Sequence, residues 1–446
     1  MSSQKIIVNK FGGGILKKEL IPCMQKRIKE QISNGFYPII VISAMPGITN
    51  KLISFVEELK ENYNLDLIKK FVNEISEQHN QIMSDIGLTN SFYKEAQENI
   101  KNILLNLSNE LNKSSKINNS IEDKIVSLGE KISATIFTAY LNFSNLKAKE
   151  ILAENIPIIT DNNFKNANID FSISENNIQN KIKNLEEIIV IPGFTGITKN
   201  GEIATLGRGG TDTTACFVGT ALRAEKIILW KDVGGVLSAD PKIIEKAKTI
   251  PFINYYEAEE AGKVIHDKAI PFIRMFQTPV EITSIINPKL KTRIENIKKL
   301  HEGAKLLNSK GDLTFILATD ENIKLNDLII IISEIFKKYK IEVTLISNAR
   351  YSVQIVTDNK NGQLEKAYEE LKQKIHTIEK TEASMIYLIG WFKAKDVSNF
   401  NDLLVKKGAN LLISAFYYEN CYRMEAIIKT NDINKIMRSV YKKFIK

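Results

Sequence analysis

Apolar residues along this chain recur with two different periods, and the switch between them lays out the fold. Ile6–Phe11 and Tyr37–Ile42 are β-branched runs, whereas the apolar positions between them fall three and four apart, the spacing of one helix face. From Ile53 to Leu111 the pattern is polar and amphipathic with few strand signals, which predicts a helical excursion beside the sheet. Ile125–Leu141 reads as another helix, and Glu186–Pro192, Glu225–Asp232 and Val280–Ile285 as further core strands. Alternating strands and helices over 1–300 predict an α/β sandwich on a mostly parallel sheet covered on both faces. Sheets of this kind bind ligands beyond the carboxyl ends of their strands.

Near Leu306 the order of elements changes. Strand Leu313–Ala318, helix Leu325–Tyr339, strands Ile341–Ser347 and Tyr351–Asp358 and helix Gly362–Ile375 come first. Strand Ser384–Trp391, helix Val397–Lys407, strands Ala409–Phe416 and Tyr422–Lys429 and helix Asn431–Phe444 follow. The order β-α-β-β-α is written twice, an internal repeat by topology rather than by identity. Small α+β units of this kind pair sheets edge to edge and hold small ligands between them, although two fused structural caps would read the same way. The domains expected are 1–298, 306–378 and 382–446.

Three glycine-rich segments follow apolar runs in the first of these domains. They are Lys10-Phe11-Gly12-Gly13-Gly14, Ser43-Ala44-Met45-Pro46-Gly47-Ile48-Thr49-Asn50 and Leu206-Gly207-Arg208-Gly209-Gly210-Thr211-Asp212. Backbone N–H groups at strand-to-helix turns point outward together, and the helix dipole adds positive potential, so such turns take phosphate or carboxylate. Three of them, carrying Lys, Arg and Asp among their glycines, predict one polyanion site assembled from separate strands. Lys10 ends the first strand inside its turn, where a lysine neutralises charge on a transferred group. Asp212 is placed to cap the helix Thr213–Arg223 and to organise Lys10. Arg208 can offer a bidentate fork to a carboxylate. Glu130 follows Gly129, which permits close backbone approach, but an exposed helical glutamate would look the same. Trp230–Val236 ends a strand with a carboxylate and two glycines, which suits a base or ribose and equally an ordinary turn.

Composition narrows the classes. A chain of 446 residues suggests two or three domains. The net charge of +9 comes from lysines spread among Glu, Asn and Ile with no Arg-rich block, so coding bias explains it and nucleic acid is not an expected partner. No apolar run approaches the roughly 20 residues that span a bilayer. The amino terminus runs straight into a strand pattern, so no secretory signal is expected, and the three cysteines are too far apart for a metal or disulfide framework. A cytoplasmic protein without a membrane partner is expected. The sequence carries no GxxxxGK[ST] loop, no GxSxG elbow and no protein-kinase signature, and its four histidines are scattered. Cations, glycine turns and a few carboxylates remain, an inventory that suits phosphoryl transfer.

These segments resemble the aspartate kinase (aspartokinase) family, of the amino-acid kinase fold with two carboxy-terminal ACT domains. The resemblance covers essentially the whole chain and is densest at Lys10–Gly13, Ser43–Asn50, Ile191–Phe194, Leu206–Asp212 and Asp232–Pro241. It implies phosphorylation of the L-aspartate side-chain carboxylate by Mg2+-ATP to 4-phospho-L-aspartate, at the entry to lysine, threonine and methionine synthesis. On that resemblance Lys10 stabilises the transferring phosphoryl group and Asp212 orders the catalytic lysines. Ser43, Thr49, Glu130, Phe194, Arg208, Gly209 and Thr211 hold aspartate, with Glu130 at the ammonium and Arg208 at a carboxylate. Lys10, Gly12, Gly13 and Gly14 face the phosphates, and Lys231, Asp232, Asp240, Lys242 and Lys263 lie on the nucleotide side. The protein itself supplies no metal cluster. A homodimer through the ACT units, which the family interleaves in some members, and an amino-acid effector there are also implied.

The chain departs from the family in places. Gly14-Ile15 stands where Thr-Ser is usual, removing two hydroxyls, and Lys231 replaces the usual Thr. Lys242 replaces an Arg, which is a different phosphate ligand. Leu237 replaces an aromatic, Glu257–Lys263 is about four residues short, and His266-Asp267-Lys268 replaces His-Pro-Arg. Weaker ATP affinity with intact chemistry is expected. Thr344 and Arg350 occupy positions that are acidic in lysine-sensitive members, so inhibition by lysine is not expected. Two alternatives stay open: a kinase for another small amino acid, and a catalytically weak amino-acid sensor.

Overall fold

The computed structural model describes residues 5–114, 116–155, 158–182, 186–262, 264–296, 302–358, 362–416 and 422–445. The chain divides into two compact units, Met1–Val236 with Thr249–Ile297, and Leu237–Lys248 with Lys298–Lys446. The expected boundary near 298 therefore needs one correction, because the segment Leu237–Lys248 belongs to the second unit. Ser238 and Lys246 of the segment bond to that unit. Leu307 N donates to Ser238 O at 2.8 Å, Ser238 Oγ lies 2.8 Å from Tyr441 OH, and Tyr441 OH donates to Lys246 O at 3.3 Å.

The first unit is built on an eight-stranded sheet in the order Ala148–Glu150, Ile188–Pro192, Phe36–Ile42, Lys5–Phe11, Lys226–Lys231, Val280–Ser284, Lys291–Ile294, Phe252–Ile253. Every neighbouring pair is parallel except Val280–Ser284 with Lys291–Ile294. The unbroken apolar runs are explained by burial on both faces: all five residues of Ile188–Pro192 are buried. Side chains of Lys5–Phe11 alternate between two covers. Asn9 exchanges hydrogen bonds of 2.8 Å with Gln31 of helix Ile21–Ser33, and accepts another of 2.8 Å from Trp230 Nε1. Val8 and Lys10 face the other way, towards helix Gly210–Ala221, whose Gly219 lies against Val8 and Ile227.

The polar-amphipathic stretch forms three helices, Ile48–Glu61, Leu65–Asp85 and Asn90–Lys113. Phe55 and Phe71 stack at 3.7 Å between the first two. The expected helix Ile125–Leu141 is two helices, Asn119–Val126 and Leu128–Phe143, joined at Ser127. No helix of the described residues is long and apolar enough to cross a membrane.

The second unit holds one six-stranded antiparallel sheet, ordered Val343–Ala349, Ser352–Asp358, Gly303–Thr319, Thr377–Trp391, Arg423–Lys429, Asn410–Phe416. The repeat expected from sequence is present as two cores on that sheet. One packs Ile316, Val353 and Ile355 against helices Leu325–Lys338 and Leu364–Lys374. The other packs Leu307, Ile386 and Met424 against helices Ala394–Lys406 and Ile433–Phe444. Strand Gly303–Thr319 starts ten residues before the Leu313 expected from the pattern, and serves both cores. Its first half, residues 303–310, pairs with Met385–Trp391 of the second core, and after a register shift between Lys310 and Leu313 its second half pairs with Ser352–Asp358 of the first. The first lobe is thus inserted between one strand of the second lobe and the remainder of it.

Candidate active site

Parallel register brings the strand ends together. Lys10 is level with Val41 on one side and Leu229 on the other. The chain leaves each strand with a bond to its neighbour: Ser43 N donates to Phe11 O at 3.0 Å, Gly193 N to Ile42 O at 2.9 Å, and Ile285 N to Lys231 O at 3.0 Å. The turns that follow emerge side by side at the carboxyl edge of the sheet.

Contacts between side chains then tie the three glycine turns to one another. Lys10 Nζ lies 2.6 Å from Asp212 Oδ1, joining the first turn to the third. Gly13 packs on Ala44 O, where an added Cβ would sit at 2.9 Å, joining the first to the second. Thr211 Oγ1 donates to Ser43 Oγ at 3.4 Å, joining the third to the second. Gly193 also lies on Thr211, where a Cβ would meet Cγ2 at 2.5 Å, so only glycine fits there. Phe194 takes a left-handed backbone with φ of 71°, held because Phe194 N donates to Thr214 Oγ1 at 3.1 Å.

Asp212 is not the helix cap expected from sequence. The helix begins at Gly210 after Gly209, which adopts φ of 72° with the His266 ring packed against it. Asp212 is therefore the third helical residue, and its carboxylate is free to turn to Lys10 rather than to its own backbone. Burial acts to raise the Asp212 pKa, but Lys10, and after it Lys231, hold the carboxyl below its usual range.

Glu130 sits in the first turn of helix Leu128–Phe143 and is 3% exposed. The helix approaches closely because Gly129 lies on Ala44, where a Cβ would come within 2.7 Å. Ser43 Oγ donates to Glu130 Oε1 at 3.4 Å, while Glu130 Oε2 is buried without a hydrogen-bond partner. Burial pushes the Glu130 pKa up to about 7 against the opposing bonds from Ala44 N and Ser43. A buried carboxylate with an oxygen left over is built to receive a cation.

The remaining expected residues are placed less centrally. Gly12 lies under Lys10 Nζ, and Gly14 is exposed with open space at its Cβ position, while Ile15 is buried in the core. Thr49 is half-buried in the first turn of Ile48–Glu61, and Arg208 is exposed on its turn. Lys231 ends its strand half-buried, with Asp232 exposed after it. Asp240 and Lys242 lie in the segment Leu237–Lys248 of the second unit, where Lys242 N donates to Asp240 Oδ1 at 2.8 Å. The grouping of these two with the nucleotide residues is not seen within the first unit. Lys263 lies outside the described residues.

Sequence reasoning missed Lys268. Its ammonium donates to Asn166 O at 2.8 Å, Ala167 O at 3.0 Å and Leu206 O at 3.3 Å, pinning the strand end that precedes Gly207. Three carbonyl partners from two distant segments leave no signal in a linear pattern. No group of three or more His, Cys, Asp or Glu side chains that could hold a metal occurs among the described residues.

The chain matches the model of the amino acid kinase family over residues 5–284. It is similar to the aspartokinase of Rickettsia bellii, 30% identical over 331 residues that cover 72% of this chain and 68% of that protein. It is also similar to the aspartokinase of Rickettsia prowazekii, 27% identical over 373 residues that cover 80% of this chain and 69% of that one. The fold is that of E. coli aspartokinase III, solved in complex with aspartate and ADP, with a TM-score of 0.77 at 20% identity over 99% of this chain and 100% of the other.

Proposed function

Because the chain belongs to the amino acid kinase family, and within it to the aspartokinases, we propose that it transfers the γ-phosphoryl group of ATP to the side-chain carboxylate of L-aspartate. The observation that carries this reading is the Lys10–Asp212 pair at 2.6 Å in one cluster with Glu130, whose buried Oε2 awaits a partner. Glu130 takes the ammonium of aspartate, with Ser43, Thr49, Phe194, Gly209 and Thr211 around it. Arg208, exposed on its turn, takes a carboxylate. A substrate carboxylate is already ionised near neutral pH, so attack needs no general base. Its oxygen forms the new P–O bond as the bond to the ADP oxygen breaks, and no proton is transferred. Lys10 takes up charge on the transferring group, and Asp212 fixes the direction of the lysine.

ATP lies along the first turn, Gly12 to Gly14, and beyond Lys231 and Asp232, with Lys263 also proposed on the nucleotide side. Mg2+ fits as a companion of the phosphates. The described residues build no cage of their own, and Mg2+ characteristically takes one or two carboxylates together with substrate phosphates. Asp212 and Asp232 are the carboxylates in place, and the metal would neutralise phosphate charge when bound. A cytoplasmic homodimer assembled through the repeated lobes, with an amino-acid effector there, completes the reading. Its support is the outer strand Val343–Ala349, which leaves Val343 and Ile346 exposed at 46% and 48% on a sheet edge that is unpaired among the described residues. Thr344 accepts from Lys310 Nζ at 3.2 Å and Arg350 stacks on Tyr351, an environment that favours an effector other than lysine.

Release of ADP from Mg2+-ATP with and without L-aspartate, with the acyl phosphate trapped by hydroxylamine, tests the reading. Aspartate-dependent release that vanishes in Lys10→Ala is expected. A folded protein that binds aspartate yet releases no ADP would overturn it in favour of a sensor.

A further inference from the structure

Lys10 and Asp212 together carry no net charge, yet the group they face in the proposed reaction is densely anionic. The first turn offers little compensation, since its hydroxyl positions are Gly14, which has no side chain, and Ile15, which is buried in the core. A further cation lies on the next strand.

Strand Lys226–Lys231 alternates as its neighbour does. Trp230 points to the face of helix Ile21–Ser33, where its Nε1 donates to Asn9 at 2.8 Å. Ile227 points to the opposite face, against Gly219 of helix Gly210–Ala221. Lys231, four residues after Ile227, shares that second face with Lys10. The parallel register pairs Phe11 with Trp230, so Lys231 stands beside Gly12, one strand from Lys10. Asp212, in the first turn of the same helix, lies 2.6 Å from Lys10, and the charges of Lys10 and, after it, Lys231 hold its carboxyl below the usual range. Lys231 is half-buried and, among the described residues, has no ion pair of its own.

We propose that Lys231 is a catalytic residue, a second cation that contacts the transferring phosphoryl group across Asp212 from Lys10 and takes up charge as that group leaves ADP. Asp212 then orders Lys231 as well as Lys10, and the site gains positive charge that the Lys10–Asp212 pair by itself lacks. The proposal rests on the aspartate kinase reading and adds to it the role of a residue that reading leaves only near the nucleotide.

Two readouts separate this role from a ground-state nucleotide contact. The first is kcat for ADP release. The second, which needs no turnover, is calorimetric binding of ADP with aluminium fluoride and aspartate, a mimic of the phosphoryl group in flight, against binding of ADP alone. Lys231→Met is expected to lower kcat by about 100-fold or more, and to weaken the mimic by a similar factor while leaving ADP affinity unchanged. Lys231→Arg, which keeps the charge, is expected to retain most of both and to guard against a folding artefact. Equal losses for ADP and the mimic, or no loss of the mimic, would overturn the proposal. A wild-type protein that binds the mimic through Lys231 but phosphorylates no aspartate would instead overturn aspartate as the acceptor and leave Lys231 as a ligand of the phosphoryl group.

Discussion

Glu130 is a buried carboxylate whose ionisation costs the fold stability. Its pKa is raised from 4.5 to about 7, chiefly by burial. Between these values the folded protein keeps a proton that the unfolded chain has released, so stability falls as pH rises through that window. Above the upper value the loss is complete, on the order of 3 kcal/mol. In the proposed function this charge receives the aspartate ammonium, and aspartate affinity should therefore rise with pH over the same range. Glu130→Gln removes the ionisation while keeping the shape. It is expected to raise the thermal midpoint above neutral pH and to abolish aspartate binding, checked by thermal denaturation and calorimetry on one preparation. A lower midpoint would show that the carboxylate is already compensated without ligand. The sequence singled out Glu130 beside Gly129, but its place at an ammonium came only through resemblance, because the residue types around a helical glutamate do not say which way it faces.

At the scale of elements, the three helices of the excursion bury a polar group that titrates with the opposite sign. His79 in helix Leu65–Asp85 is fully buried, with Nδ1 2.7 Å from Ile75 O and Nε2 unpartnered. Burial lowers its pKa from 6.5 to about 4. As pH falls between these values the unfolded chain gains a proton that the folded one refuses, so stability is lost, again on the order of 3 kcal/mol. Urea denaturation of His79→Gln at neutral and acidic pH should show that this acid-side loss has largely gone, whereas an unchanged slope would place the acid sensitivity elsewhere. In the overlap of the two windows His79 and Glu130 oppose each other, so the wild type should vary less with pH than either variant. The amphipathic period was sufficient to predict these helices. The orphaned His79 nitrogen was illegible, since burial of a histidine depends on the helix packed over it.

At the scale of the molecule, the second unit is one folding problem rather than two. Strand 303–310 supplies Leu307 to the core made by residues 384–445, although the whole first lobe lies between them in sequence. A fragment starting at residue 377 lacks that strand and is expected to remain largely unfolded by circular dichroism, while a fragment from residue 302 to the end folds with a cooperative transition. Cooperative folding of the shorter piece would show that the shared strand is dispensable. The repeat was legible because each copy has the same order of periodicities. The sharing was not, because strand 303–319 carries a register shift between Lys310 and Leu313 that divides one strand between two cores.

The sequence by itself determined the α/β class of the first unit, the twice-written second unit, the three glycine turns and Lys10 and Asp212 as partners of one another. These are written in local periods and in backbone needs that only glycine meets. Tertiary structure decided the rest. It moved Asp212 from a cap to the third position of its helix, left Glu130 with a free buried oxygen, sent 237–248 to the second unit, and put Lys231 on the same face as Lys10. Each of these depends on which strand lies beside which and on the parity of residues along it, quantities set by pairing between distant segments and absent from any local pattern.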